Sequence, residues 1–297
     1  MRILIIDTSA LLHAAKHSVG KAKLSHNEQY TFVIFGFLFR LRNLVQKTYA
    51  DRIVFAYDSS SSLRKELIYS EYKSNRDDSK KTDKEKQLDA IARPQFKIVK
   101  KIISYIGYKN TFEAEGYEAD DIIASVVKSN KNSEIVICTS DEDMYQLISP
   151  TCMIIKPRDY RWYGLKEFRQ EYGIEPLMWK RVKVYGGCST DAVPGLPIPS
   201  NDKAKKVRHI GEGLALNYIK AKINPETKTY KAFFGPEAKR IVNRNKSLVI
   251  LPFRGTPEFS ILSDSLSKER FIQVCKEYGF KSILQDIKDF CTVLKLR

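Results

Sequence analysis

Short, wholly apolar runs alternate along the chain with longer segments of helical period, and three of the apolar runs lead into acids. Residues 3–6 are uninterruptedly apolar and close on Asp7, the pattern of a strand covered on both faces. Residues 53–57 repeat the pattern and close on Asp58, and residues 135–138 pass through Thr139 and Ser140 into Asp141, Glu142 and Asp143. Met153, Ile154 and Ile155 form a fourth candidate strand. Between the strands, residues 30–47 carry Phe32, Phe35, Phe39 and Leu41 at helical spacing. Residues 94–106 do the same with Phe96, Ile98, Val99, Ile102, Ile103 and Ile106, and stop at Gly107. Strand, acid, helix is the grammar of an α/β fold with a mostly parallel central sheet and helices on both faces. The carboxyl ends of its strands share one edge, so Asp7, Asp58, Asp141 and Asp143 are expected on one rim.

From Gly164 the texture changes. One helix is predicted over residues 165–172 with a glycine stop, and a second reaches about residue 185. Gly186-Gly187-Cys188-Ser189-Thr190-Asp191-Ala192-Val193-Pro194-Gly195 follows, then a polar stretch holding Lys203, Lys205, Lys206 and Arg208. The segment from His209 opens a further helix behind Gly211 and Gly213. Glycine-rich turns ahead of helices can offer backbone N–H groups to phosphate, and ordinary helix–turn–helix loops have the same composition. A division at 1–163 and 164–297 is expected, with a helical second region packed on the core. No internal repeat is evident.

The densest chemistry is Gly116-Tyr117-Glu118-Ala119-Asp120-Asp121, just ahead of the apolar Ile122-Ile123-Ala124. Acids in a first helical turn are favoured by the macrodipole, by about 0.3–1 kcal/mol each, and this alone would explain a charged helix start. Three carboxylates in four positions also repel one another, and a divalent cation would offset that repulsion. The setting sharpens the second reading. The 297-residue chain has a net charge of +16, an excess that serves a polyanion such as nucleic acid. A concentration of carboxylates inside so basic a protein points to hard cations such as Mg²⁺ or Mn²⁺ facing a phosphodiester. No apolar run is long enough for a membrane span, residues 1–7 are too short and too soon acidic for a signal peptide, and no membrane partner is expected. Five scattered cysteines with no CxxC pair suggest neither a zinc site nor a disulfide framework, and fit a reducing cytoplasm.

In order, these pieces resemble the 5′→3′ exonuclease/flap endonuclease family in its bacteriophage and bacterial branch. The matching pieces begin with Ile5-Ile6-Asp7-Thr8-Ser9, Phe55-Ala56-Tyr57-Asp58, Leu63-Arg64 and Glu71-Tyr72-Lys73-Ser74-Asn75-Arg76. They continue with the Gly116–Asp121 cluster, Thr139 to Leu147, Asp191 to Gly195 with Ile210-Gly211, and Asn245 to Val249 and Cys275 to Leu284 in the tail. The resemblance runs from about residue 3 to residue 285. Bacterial DNA polymerases of type I carry a similar domain at their N-terminus, and this chain resembles the free-standing form.

The resemblance implies a PIN-like nuclease core in which two divalent cations activate a water and stabilise the leaving oxygen. Asp7, Asp58, Glu118 and Asp120 would hold the first ion; Asp141, Asp143 and Asp191, with Asp121 nearby, the second. Residues 63–94 would form a helical arch over the site, with Lys73 and Arg76 on the scissile phosphate, Arg64 in support and Tyr72 stacked on a base. The turn at Gly211 and Gly213, with K⁺, would grip duplex DNA, and Lys203, Lys205, Lys206 and Arg208 would extend that contact. The implied substrates are nicked or branched DNA with a 5′ flap and RNA primers on DNA, cut by a monomer. Two departures stand out. Cys188 occupies an aspartate position of the family pattern Gly-Asp-x-x-Asp-Asn, and a thiol is a poor ligand for a hard cation. About a dozen residues also separate Pro194-Gly195 from the glycine turn that follows it directly in the family, and Gly213 falls where the family has a lysine.

Overall fold

A computed structural model of the protein describes residues 1–18, 24–76, 79, 81–199 and 207–297. Its centre is a six-stranded sheet of order β5-β4-β1-β6-β7-β8. The strands are β1 (Arg2–Asp7), β4 (Arg52–Ala56), β5 (Thr111–Phe112), β6 (Glu134–Cys138), β7 (Cys152–Ile155) and β8 (Trp162–Tyr163). All neighbours are parallel except β7 with β8. Two small antiparallel pairs lie apart, β2 (Ser25–His26) with β3 (Gln29–Tyr30) and β9 (Gly187–Cys188) with β10 (Val193–Pro194). From β1 the chain builds outward through β4 to β5, then returns to the other side of β1 for β6, β7 and β8. The order therefore reverses between β1 and β6, and a crevice opens at the carboxyl ends of strands on either side of such a reversal.

Unbroken apolarity in β1 has a direct cause, because both faces of the sheet are covered. Leu4, Ile6, Ile53, Phe55, Val136 and Cys138 pack to one side, with α1 (Thr8–Ser18), α2 (Phe32–Thr48) and α4 (Asp83–Ile106), while the buried Arg64 of the short α3 (Leu63–Leu67) bonds Asp121 and the Leu248 carbonyl. Ile3, Ile5, Val54, Ala56, Ile135 and Ile137 pack to the other, under α5 (Ala119–Ser129), α6 (Leu165–Tyr172) and α7 (Pro176–Gly186). The second layer continues through α8 (Glu212–Ile219), through Ala232 and Phe233 just after the short α9 (Lys228–Lys231), and through α10 (Ala238–Val249). The last helices, α11 (Lys268–Glu277), α12 (Lys281–Gln285) and α13 (Ile287–Val293), return to the first face, where Phe271, Ile283 and Phe290 join the α2 and α4 core. The tail is thus part of the sheet's own covering layer.

One helix begins well before its expected start. The sequence pattern places it at residue 94, yet α4 starts at Asp83 and carries Pro94 inside. Thr82 is the reason: its hydroxyl accepts from the Glu85 N–H, and the Glu85 carboxylate accepts from the Thr82 N–H at 2.8 Å. This capping box starts the helix upstream strongly enough for the proline to be carried. The early start puts the first turns of α4 inside the expected arch, whose front part holds only the five-residue α3 and turns from Ser70 to Asn75.

Candidate active site at the carboxyl edge of the sheet

Asp7 ends β1, with one oxygen accepting from the Ala10 N–H at 3.0 Å and the other from the Thr139 hydroxyl at 2.9 Å. Asp58 follows β4, accepting from the Ser9 hydroxyl at 2.9 Å and from the Ala119 N–H at 3.0 Å. It therefore caps the same helix start that presents Glu118 and Asp120. Across the reversal, Asp141 accepts from the Asp143 N–H at 2.7 Å and opens a 3₁₀ turn over Glu142–Leu147. Strand ends and the start of α5 thus bring Asp7, Asp58, Asp120 and Asp141 together.

Their electrostatics show the proximity. Burial pushes the Asp7 carboxyl up to about 6, with Asp58 and Asp141 adding to the effect. Burial also drives Asp120 well above the ordinary carboxylate range, reinforced by Asp141 and Asp7 and opposed by Lys73. Asp7 and Asp120 resist ionising first because they are buried, and the acids near them add to that resistance. Backbone and hydroxyl donors fix Asp7, Asp58 and Asp141, and with Asp120 they make a donor set that suits a hard divalent cation.

A second group lies beside them. Oxygens of Asp143 and Asp191 and the sulfur of Cys188 lie within 4.8 Å of one another. Burial, then Asp191 and Asp141 among the acids, sets the scene here: desolvation raises Asp143 to about 6 against the pull of Lys183. The Cys188 thiol, beside Thr190 at 3.0 Å, is pushed up to about 12 by burial and by Asp143 and Asp191. It is therefore protonated at neutral pH, and this group offers two hard donors where the first offers four. Lys183 fills part of the gap, its ammonium lying 2.7 Å from Asp143 and 2.5 Å from Glu212. Neither Lys183 nor Glu212 was singled out from the sequence. Lys183 is a buried cation in an otherwise apolar helix layer, and that burial is invisible without the fold.

The arch segment closes over both groups. Lys73 reaches Glu118 at 2.8 Å and Arg76 reaches Asp191 at 2.8 Å. Burial alone would raise the Glu118 carboxyl, but Lys73 and Arg64 overcome it and hold it below its usual range. Lys73 has a φ of 59°, and its N–H donates to the Asp191 carbonyl at 2.8 Å.

Three expected roles are corrected. Tyr72 is buried against Val184, Cys188, Val193, Leu248 and Val249, with its hydroxyl donating between Glu118 at 3.0 Å and Asp191 at 3.2 Å. Its ring is core, not a surface on which a base can stack. Arg64 is 2% exposed and bonds the Leu248 carbonyl and Asp121, so it is out of reach of DNA. Asp121 has both oxygens engaged, by the Arg64 guanidinium, the Phe253 N–H at 2.7 Å and the Glu118 N–H at 3.2 Å. It faces away from the other acids and anchors the helix start.

The interrupted glycine turn is whole in space. The described residues on either side are tied together: the Ile198 N–H donates to the Arg208 carbonyl at 2.8 Å and the Ile210 N–H to the Leu196 carbonyl at 2.7 Å. Gly195 then lies so close to Ile210 that a Cβ on it would meet the Ile210 carbonyl at 2.1 Å. Gly187 has a φ of 72° and would meet the Val193 carbonyl at 2.2 Å, so only glycine fits. Gly211 and Gly213 are exposed, a Cβ on either would meet nothing within 4 Å, and Arg208 is exposed. Lys203, Lys205 and Lys206 lie outside the described residues. The resulting cleft, about 910 Å³, runs from Asp7, Asp58 and Asp141 past Arg76 and Lys183 to Gly211.

An α/β sheet with an acidic rim at its switch point and cations above it is the architecture of a 5′-nuclease. The 5′-3′ exonuclease N-terminal resolvase-like domain family matches residues 2–173, and the chain belongs to it. A 5′-3′ exonuclease of Buchnera aphidicola is 28% identical over 91% of this chain and 83% of its own length. One from Aquifex aeolicus is 30% identical over 56% of this chain and 55% of its own. A bacteriophage T5 flap endonuclease in a pseudo-enzyme–product complex with DNA and metal ions superposes with TM-score 0.70 at 19% identity, over 85% of this chain and 90% of that one. Flap endonuclease-1 from Methanococcus jannaschii gives 0.57 at 14% identity, over 99% and 92%.

Proposed function

We propose that the protein is a Mg²⁺- or Mn²⁺-dependent 5′→3′ exonuclease and structure-specific flap endonuclease, cutting at 5′ ends of nicked or branched DNA and of RNA primers on DNA. One observation carries this reading: Asp7, Asp58, Asp120 and Asp141 converge at the switch point of a strongly basic protein, beneath Lys73 and Arg76. Asp7, Asp58, Glu118 and Asp120 hold one cation in this scheme, and Asp141, Asp143 and Asp191 the second. When bound, the ions supply the Lewis-acid chemistry that phosphodiester hydrolysis needs at neutral pH.

The chain's own residues do the rest. Ser9 and Thr139 fix the oxygens of Asp58 and Asp7 in advance. Lys73 and Arg76 exchange carboxylate partners for the scissile phosphate, which places positive charge where negative charge develops. The region after residue 164, through the open backbone at Gly211 and Gly213, with K⁺, and through Arg208, holds the duplex without reading bases. The protein acts as a monomer in the cytoplasm in this reading; no helix among the described residues is long and apolar enough to cross a membrane. The test is a 5′-labelled flap incubated with Mg²⁺, Mn²⁺ or EDTA. Product must form with either ion, and EDTA must abolish it.

The weakened second group supports another reading, that of a branched-DNA binder that cuts poorly. Cys188 is a neutral thiol and Lys183 already pairs with Asp143. A shifted but intact band in Mn²⁺ would favour the binder.

A further inference from the structure

At the amino-terminal ends of the strands, on the edge opposite the acids, a groove of about 620 Å³ opens between the end of α5 and the turn before β7. Its floor is apolar, built from Val127, Leu147, Ile148 and Leu251, and Leu177 stands beside it 65% exposed. No carboxylate among the described residues lines it. Its only charged lining residues are Lys128 and Lys131, both exposed and without an acidic partner among the described residues. The volume lies within the range of about 300–1,000 Å³ typical of ligand pockets.

We infer that this groove docks a short acidic peptide segment with bulky apolar side chains, carried by a partner protein. A nucleic-acid backbone would satisfy the lysines and leave the apolar floor bare. Two separate ammonium groups call for more than one carboxylate on the same ligand, and the floor calls for large side chains next to them. A peptide chain supplies both, and its charge complements the net +16 of this protein. The groove shares no residue with the acidic cleft, so the partner can be held while DNA is being cut.

The test uses the full-length protein and a fluorescein-labelled peptide, Asp-Glu-Leu-Asp-Ile-Phe, followed by anisotropy. Two control peptides keep half of the pattern each: one replaces the acids with Asn and Gln, the other replaces Leu, Ile and Phe with Ser. Either control is expected to bind at least about tenfold more weakly than the parent. Leu177→Glu and the pair Lys128→Glu with Lys131→Glu are expected to weaken the parent peptide by a similar factor while flap cleavage stays at the wild-type rate. Lys276→Glu on α11 is expected to change nothing. Equal binding of either control, or equal loss with Lys276→Glu, would reduce the effect to general attraction and overturn the inference. So would a Leu177→Glu variant that binds the parent peptide as the wild type does, or a groove that takes sodium decanoate and refuses the peptide.

Discussion

A carboxylate crowded by other carboxylates keeps its charge only when a cation is at hand, and the residues of the rim differ in how they meet that need. Asp120 has burial and three neighbouring acids against it, so Asp120→Asn removes charge and little packing. We expect the variant to retain its melting temperature and flap affinity while losing nearly all cleavage, as read by single-turnover assays on a labelled flap. Cys188→Asp puts a further hard donor beside Asp143 and Asp191. It should shift the Mg²⁺ titration of the rate to lower concentration; an unchanged titration would separate this group from the chemistry. Lys73→Ala removes the cation nearest Glu118. A loss of about 10²–10³ in kcat is expected, the scale seen when one charge-stabilising donor is removed.

Elements are held by pairs that the sequence pattern treats as functional. The start of α5 is locked by Asp121 and Arg64, both almost wholly buried. Arg64→Met leaves Asp121 as an uncompensated buried charge, and urea denaturation should show a cost of about 3–5 kcal/mol. Adding Asp121→Leu should return part of it, because the lone charge is then gone. At the other end of the arch, Asp89 of α4 accepts from Lys16 of α1 and from Lys81 at 2.6 Å. Those hydrogen bonds hold its carboxyl well below the ordinary range. A folded-state pKa below the unfolded one stabilises the fold above the unfolded value and is lost as pH falls. Asp89→Asn should therefore lower the melting temperature at pH 7, with the gap to wild type narrowing below about pH 4.

For the molecule as a whole, the contrast of a basic body and an acidic cleft governs how substrate arrives. Contacts from Lys73, Arg76 and Arg208 alone predict a slope of about −2.7 for log K against log salt, at about −0.9 per phosphate neutralised. A flat salt dependence in a filter-binding titration with EDTA present would contradict the proposed grip.

The residue pattern by itself was enough for the buried strands, because apolar runs of four or five residues can only be covered on both faces. It also placed Asp7, Asp58 and Asp141 on one rim, since strand ends of a parallel sheet share an edge. What it could not decide was direction. Asp120 and Asp121 are adjacent in the chain, yet a helix turns successive side chains by about 100°, and only packing sent one to the rim and the other to Arg64. Tyr72 likewise has the composition of a stacking residue and became core because Val184, Val193 and Leu248 surround it. Lys183 needed the tertiary structure altogether: a buried lysine is tolerable only beside acids, and those acids, Asp143 and Glu212, come from segments 40 and 29 residues away in the chain.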